Sequence, residues 1–276
     1  MEVYKSIKAL LETEIPGSTL LAFGSFCTRL YLPNSDVDLV LVHDQVEKSK
    51  LIAKTRKVLK KLPETFEHLE VLLNAKVPII KFTHGPSQVD FDITFNELSG
   101  VQNAEEVAQA LKIHPEIKYL LMIMKLVLRQ RKMNNTFTGG IGSFLLMCII
   151  LAFLRQYKKD VYYRDRDPKA LENVSLSEYL MKFLNFYGSF DLNKKEIHIA
   201  DGGFIGRKCD PNLGFSLYSP IDPDRNIGGQ AFRIRDIFGM FRNRYSVMTN
   251  KAYDRPGSIL SDLINPSGRD FSVYMS

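Results

Sequence analysis

Cysteine is scarce in this chain. Cys27, Cys148 and Cys209 are the only three in 276 residues. They are far apart, odd in number, and form no CxxC pair with the histidine spacing of a zinc site. A disulfide framework and a structural zinc are therefore excluded as sources of stability, and reduced thiols in an intracellular compartment are expected. Long apolar runs are missing as well. The most apolar stretch, Ile141 to Leu154, is about fourteen residues, short of the roughly twenty a membrane span needs, so a buried core helix and no membrane partner are expected. The opening residues, MEVYKSIKALLETEIPG, lack the basic-then-apolar order of an export signal and read as an amphipathic helix ending at a Pro-Gly turn. No internal repeat or low-complexity stretch is present.

What the chain does have is 45% hydrophobic and 11% aromatic residues, enough for one large domain or two modest ones without staples. The net charge of +6 suits a polyanionic partner but is shared by many soluble proteins. Two grammars divide the sequence. LLAFGSF reads as a strand ending in a Gly-Ser turn, followed by a loop through Tyr31, Pro33 and Asn34, and VDLVLV reads as a buried strand. A Lys-rich helix over Gln45 to Leu62, strands over Glu70 to Asn74 and Val77 to Phe82, a turn at His84 to Ser87 and an alternating strand over Val89 to Phe95 complete a mixed α/β sheet domain, residues 1–104. Residues 105–276 read as mainly helical. Helices are expected at Ala104 to Ile113, Ile117 to Lys132, Ile141 to Gln156 and Leu176 to Tyr187. A short strand at Glu196 to Ala200, a Gly/Pro-rich loop from Asp201 to Gly229 and a closing helix over Ala231 to Tyr245 follow.

The chemistry lies in carboxylates. Asp36 and Asp38 sit two apart at the start of a strand, so both project to one side, at most about 7 Å apart. Two such anions stay ionised together only with a cation between them, and hard oxygen ligands suit magnesium. Asp90 and Asp92 form a second pair on VDFDITF, opposite Val89, Phe91, Ile93 and Phe95. A single DxD reads as a solvated strand edge. If the two strands are neighbours, however, at least three carboxylates converge, the ligand set for a two-metal site. The Gly24-Ser25 turn, after an apolar strand, can offer backbone N–H groups and a hydroxyl to phosphate.

The string FGSFCTRLYLPNSDVDLVLV, Phe23 to Val42, resembles the signature of the DNA polymerase β-like nucleotidyltransferases, and specifically the noncanonical poly(A) polymerases of the nuclear RNA-surveillance type. The resemblance continues through VPIIKF and FDITFN, then RKMNNTFTGGIGSF and DPDRNIGGQAFRIR. It implies a mixed-sheet catalytic domain, a mainly helical central (PAP-associated) domain, and an active-site cleft between them. It implies that Asp36, Asp38 and Asp92 hold magnesium, with manganese as the alternative ion, and leaves Asp90 a bystander. By the same resemblance Gly24 and Ser25 cradle the triphosphate of ATP, and Gly100, in Ser99-Gly100-Val101 where the family has Asn-Gly-Val, lies at the nucleotide sugar.

In the helical half, Lys125 interrupts YLLMIMKLVL, where an unpaired ammonium is costly to bury; a snorkelling lysine is the alternative. It resembles the family lysine that reaches the triphosphate, with Arg129 one turn on. Ser143 opens a helix after Gly139-Gly140, where free N–H groups attract phosphate. Phe144 matches a position, often tyrosine, that stacks on the base, and is otherwise a core aromatic. The Asp222–Gly228 loop is expected to read the base edge, with Asn226 able to donate and accept. Arg225 stands where uridylyl-adding members often show histidine, which favours adenylate. Arg233, Arg235, Arg242 and Arg244 read equally as surface charge or an RNA track. The family implies an RNA 3′ end and an NTP as substrates, a zinc-knuckle RNA-binding subunit and a helicase as partners, and a nuclear location. Its members usually carry an extra N-terminal helical segment, of which little is seen here, so a minimal version is expected. The rival readings are terminal uridylyl addition and a catalytically silent RNA-binding scaffold.

Overall fold

The structure is a computed structural model that describes residues 1–33, 35–74, 77–167, 171, 174–200, 203–210, 212–251 and 263–264. Asn34 and Asp201, named above as loop positions, lie outside the described residues. The chain separates into two units, Met1–Ala108 and Gln109–Ser276, where the change of grammar was expected at residue 104.

In the first unit, α1 (Glu2–Glu14) leads into β1 (Thr19–Phe23), α2 (Gly24–Thr28), β2 (Val37–Val42), α3 (Lys48–Leu59), β3 (Phe66–Leu72), β4 (Ile79–His84) and β5 (Val89–Phe95), and the unit ends within α4 (Ser99–Ile113). The strands form one sheet in the order β1-β2-β5-β4-β3. Only β2 and β5 run parallel, and a parallel neighbour needs a long crossover, which α3 and the β3–β4 pair provide. Val37, Leu39 and Leu41 of β2 join Phe91, Ile93 and Phe95 of β5, Ile7 and Leu11 of α1 and Leu51 and Leu59 of α3 in one buried cluster. Because successive residues of a strand face opposite ways, this packing sends Asp38, Lys81, Asp90 and Asp92 to the other face.

Local chemistry moves several expected boundaries. The Gly24-Ser25 turn is the first turn of the short helix α2. The Lys-rich helix begins at Lys48, where the Glu47 carboxylate accepts from Ser49 N at 3.1 Å and caps it. The strand expected at Glu70 to Asn74 starts earlier, at Phe66, whose ring packs edge-on against Phe82 at 5.1 Å.

The second unit contains α5 (Glu116–Gln130), α6 (Ser143–Asp165), α7 (Leu176–Gly188), β6 (Lys195–His198), β7 (Phe204–Arg207), β8 (Leu217–Tyr218) and α8 (Ile234–Lys251). The helix expected to stop at Gln156 continues to Asp165, its buried part ending with Leu154 and Val161. No described helix is long and apolar enough to cross a membrane. Helices α7 and α8 share an aromatic core: Phe183 meets Phe241 at 5.5 Å and Tyr187 meets Phe238 at 4.9 Å. Tyr187 is fully buried and donates its hydroxyl to the Ile149 carbonyl of α6 at 2.7 Å. The expected Gly/Pro-rich loop holds two short strands, β7 and β8, which flank β6 in a three-stranded sheet.

At the first turn of α5, Glu116 is joined by His114 Nδ1 at 3.6 Å and by the Lys158 ammonium of α6. Burial alone would raise its carboxyl, but the pull of His114 and the Lys158 ammonium outweighs it and holds the pKa at about 2. A depressed carboxyl stabilises the fold above the unfolded pKa, near 4.3, and that contribution is lost as pH falls toward 2. Glu116→Gln is expected to cost on the order of 2 kcal/mol at pH 7, partial solvent access discounted. The gap between variant and parent should narrow below about pH 4 and close only near pH 2, as read by urea denaturation across that range and at pH 7.

Candidate active site

One row of residues crosses all five strands of the sheet. Register places Phe23 of β1 beside Asp38 of β2, Asp38 beside Asp92 of β5, Asp92 beside Lys81 of β4, and Lys81 beside Glu70 of β3. Cross-strand neighbours point to the same face, so Asp38 and Asp92 stand side by side on adjacent strands, roughly 4.8 Å apart at the backbone. Asp36, expected on the strand with Asp38, lies immediately before it and is exposed. Its charge still reaches both Asp92 and Lys81. Asp90 sits two residues before Asp92 on β5 and accepts the Thr83 hydroxyl at 2.6 Å.

Lys81 Nζ donates to Asp92 Oδ2 at 2.5 Å. The two titrations together show how acidic the patch is. Burial opposes the ammonium, but the hydrogen bond to Asp92 and the charges of Asp92, Asp36 and Asp38 overcome that and raise its pKa. Asp92, whose side chain is 19% exposed, is also raised: burial pushes it up, Lys81 pulls it down, and Asp36 and Asp90 push it up again. One lysine therefore does not neutralise the carboxylates it faces, and a donor set of oxygens with uncompensated negative charge fits a divalent cation. As the side chains stand, no group of three or more His, Cys, Asp or Glu among the described residues is gathered as a metal cage; the Lys81 ammonium occupies the Asp92 oxygen.

Two glycines set the edge of this row. Gly24 has φ +66°, and a Cβ there would strike Asp38 Oδ2, so the start of α2 approaches the carboxylate as closely as a backbone can. Ser25 is the second residue of α2, and its carbonyl accepts from Leu30 N at 3.0 Å. Gly100, second in α4, lies against the Phe23 ring, which a Cβ would overlap. Cys27 of α2 has its thiol pKa raised by partial desolvation and then by the Asp38 charge.

In the second unit, Lys125 and Arg129 are half-buried and one turn apart on α5, at the rim of the arc formed by Leu121, Met124 and Leu128. Lys125 is thus less deeply placed than its apolar sequence neighbours suggest. Ser143 is the exposed first residue of α6, an N-terminus that carries no side-chain cap, and Phe144 beside it is half-buried. Asn226 is bound up in its own loop. Its Oδ1 accepts from Leu217 N at 3.1 Å, Gly228 N at 2.9 Å and Gly229 N at 3.2 Å, while Nδ2 donates to the Phe215 carbonyl at 3.4 Å. Asn226→Ala is expected to leave three amides without that acceptor and to cost about 1–3 kcal/mol, with faster amide exchange confined to residues 215–229. Three of the closing arginines are likewise structural tethers: Arg233 donates to the Lys132 carbonyl, Arg235 to Asn193, and Arg242 to the Gly188 carbonyl.

A family model described as poly(A) RNA polymerase, mitochondrial-like, central palm domain matches residues 1–108. Poly(A) RNA polymerase protein 1 of Saccharomyces cerevisiae is 31% identical over 277 residues, covering 92% of this chain and 42% of that relative. A solved structure of the polymerase core of TRAMP, an RNA surveillance complex, superimposes with a TM-score of 0.79 at 26% identity, over 95% of this chain and 86% of that one. Over nearly its whole length the chain is similar to poly(A) RNA polymerases. It spans less than half the length of the curated yeast relative. The fold, a mixed sheet followed by a helical unit, is shared with Cid1, a structure described with RNA terminal uridylyl transferase activity, at a TM-score of 0.78, 21% identity, and 95% and 90% of the two chains.

Lys81 is the residue of this row that sequence reasoning left without a role. Its signal was available: a lysine at the outward position of VPIIKF, between the core residues Ile80 and Phe82. Register alone reveals that its neighbour is Asp92.

Proposed function

We propose that this chain transfers adenylate from ATP to the 3′ ends of RNA without a template. The observation that carries the reading is the in-register adjacency of Asp38 and Asp92, with Gly24 set against the Asp38 carboxylate. Magnesium, or manganese, held by Asp36, Asp38 and Asp92 would neutralise the triphosphate and lower the pKa of the attacking hydroxyl. In the transfer, the RNA 3′ oxygen bonds to the α-phosphorus as the bond to the β-phosphate oxygen breaks, the hydroxyl proton leaves to solvent, and pyrophosphate departs. Gly24 and Ser25 offer backbone N–H groups to the phosphates, and Gly100, packed against the Phe23 ring, lies at the sugar. Lys125, Arg129 and the uncapped helix end at Ser143 supply positive charge for pyrophosphate. Phe144 stacks on the base, and Asn226 acts on base choice by holding the shape of its loop. A zinc-knuckle RNA-binding subunit, a helicase and a nuclear site of action are proposed from the family.

The test is primer extension of a labelled RNA with magnesium and each NTP in a separate reaction. ATP-dependent lengthening is expected. A clear preference for UTP would replace the adenylate reading with uridylate addition. No extension with any NTP, together with full cellular function of an Asp36→Ala, Asp38→Ala chain, would make it an RNA-binding scaffold.

A further inference from the structure

The three-stranded sheet of the second unit carries a row of stacked rings that no part of the proposed reaction uses. Register pairs His198 of β6 with Phe204 of β7 on one side and with Tyr218 of β8 on the other. The His198 ring lies parallel to Phe204 at 4.4 Å and 3°, and nearly parallel to Tyr218 at 4.5 Å and 14°. Its Nε2 meets the buried Glu196 carboxylate at 3.0 Å, which fixes the middle ring. At one end Tyr218 pairs with Asn226 of the Asp222–Gly228 loop. At the other end the row stops at Phe204, on an edge strand and 55% exposed.

We propose that Phe204 is a stacking platform for one unpaired base of the RNA, a proposal that rests on the RNA-acceptor reading above. A row of parallel rings that ends in an open face is extended most simply by another flat ring, and every nucleobase offers one. The surroundings fit a base better than a protein. Next along the strand, Ile205 and Gly206 are half-buried and Arg207 is exposed, so no contiguous apolar patch of the kind a protein partner covers adjoins Phe204 there. Arg155 brings positive charge close by, its guanidinium donating to the Ile199 carbonyl at 2.6 Å, one residue past His198. The platform takes any base, so it strengthens RNA binding without choosing its sequence, and it lies on the same small sheet as the loop that Asn226 shapes.

The experiment is fluorescence anisotropy, without ATP, of an oligoadenylate and of an equally long abasic strand, with the wild-type chain, Phe204→Ala and Phe204→Trp. Phe204→Ala is expected to weaken oligoadenylate binding about tenfold and to leave abasic-strand binding unchanged, while Phe204→Trp binds at least as tightly as the wild type. Circular dichroism of each variant keeps a folding defect apart from a binding defect. Equal oligoadenylate binding by wild type and Phe204→Ala, or an equal loss on both strands, overturns the platform and leaves the polymerase reading standing. A wild-type chain that neither binds nor extends RNA overturns both.

Discussion

Asp38→Asn should lower nucleotidyl transfer by more than about a thousandfold while leaving the fold as stable as before. The activity term follows from charge. Removing a single uncharged donor to a developing oxyanion costs about 10²–10³, and loss of a carboxylate that would hold a divalent cation removes a full charge from a patch that needs its ligands ionised. The stability term follows from the same patch. Asp38 is half-buried between Phe23 and Asp92, with Asp36 two residues away, and three anions there repel one another. Asparagine keeps the shape and removes one of them, so the change in unfolding free energy should stay within about 1 kcal/mol. A thermal melt with and without magnesium gives a readout apart from turnover, since a ligand bound only to the native state raises the parent's melting temperature and should not raise the variant's. Retention of a tenth or more of the parental primer extension would remove Asp38 from the reaction.

How much of this could be read from the chain alone depended on the kind of information each feature requires. The outward placement of Asp92 was legible because Phe91, Ile93 and Phe95 alternate with polar residues at a period of two, whereas Asp38 lies in a nearly all-apolar strand, with Val40 buried between Leu39 and Leu41, that shows no such period. That their strands are neighbours could be stated only as a condition, because a parallel pairing between residues 38 and 92 is set by the crossover through α3, β3 and β4 and leaves no local mark. Lys81 shows the same limit, since its partner is defined by register. The loop from Asp201 to Gly229 hid β7 and β8 because strands of four and two residues among glycines and prolines are too short to show a period. Asn226 was read as a side chain able to donate and accept, but not which atoms take up those bonds. The backbone amides of its own loop do so at Oδ1, and no sequence pattern distinguishes that use from base reading.

Gly24→Ala should be the most damaging single-methyl change in the first unit. Two penalties act at one atom. The residue sits at φ +66°, which costs an alanine about 1–2 kcal/mol relative to glycine. The added methyl also strikes Asp38 Oδ2, so the carboxylate must turn out of its row beside Asp92 or β1 and β2 must part. A displacement of about 1 Å in a reacting constellation costs on the order of a hundredfold in rate. Primer extension should fall by at least that factor, with a stability loss of about 2–3 kcal/mol when collision is added to strain. The two penalties separate in a double-mutant cycle. In an Asp38→Ala background the methyl meets no carboxylate, so Gly24→Ala should then cost only the backbone strain, about 1–2 kcal/mol. Equal costs in the two backgrounds would mean that Gly24 is needed for its backbone conformation alone and that the close approach to Asp38 contributes nothing.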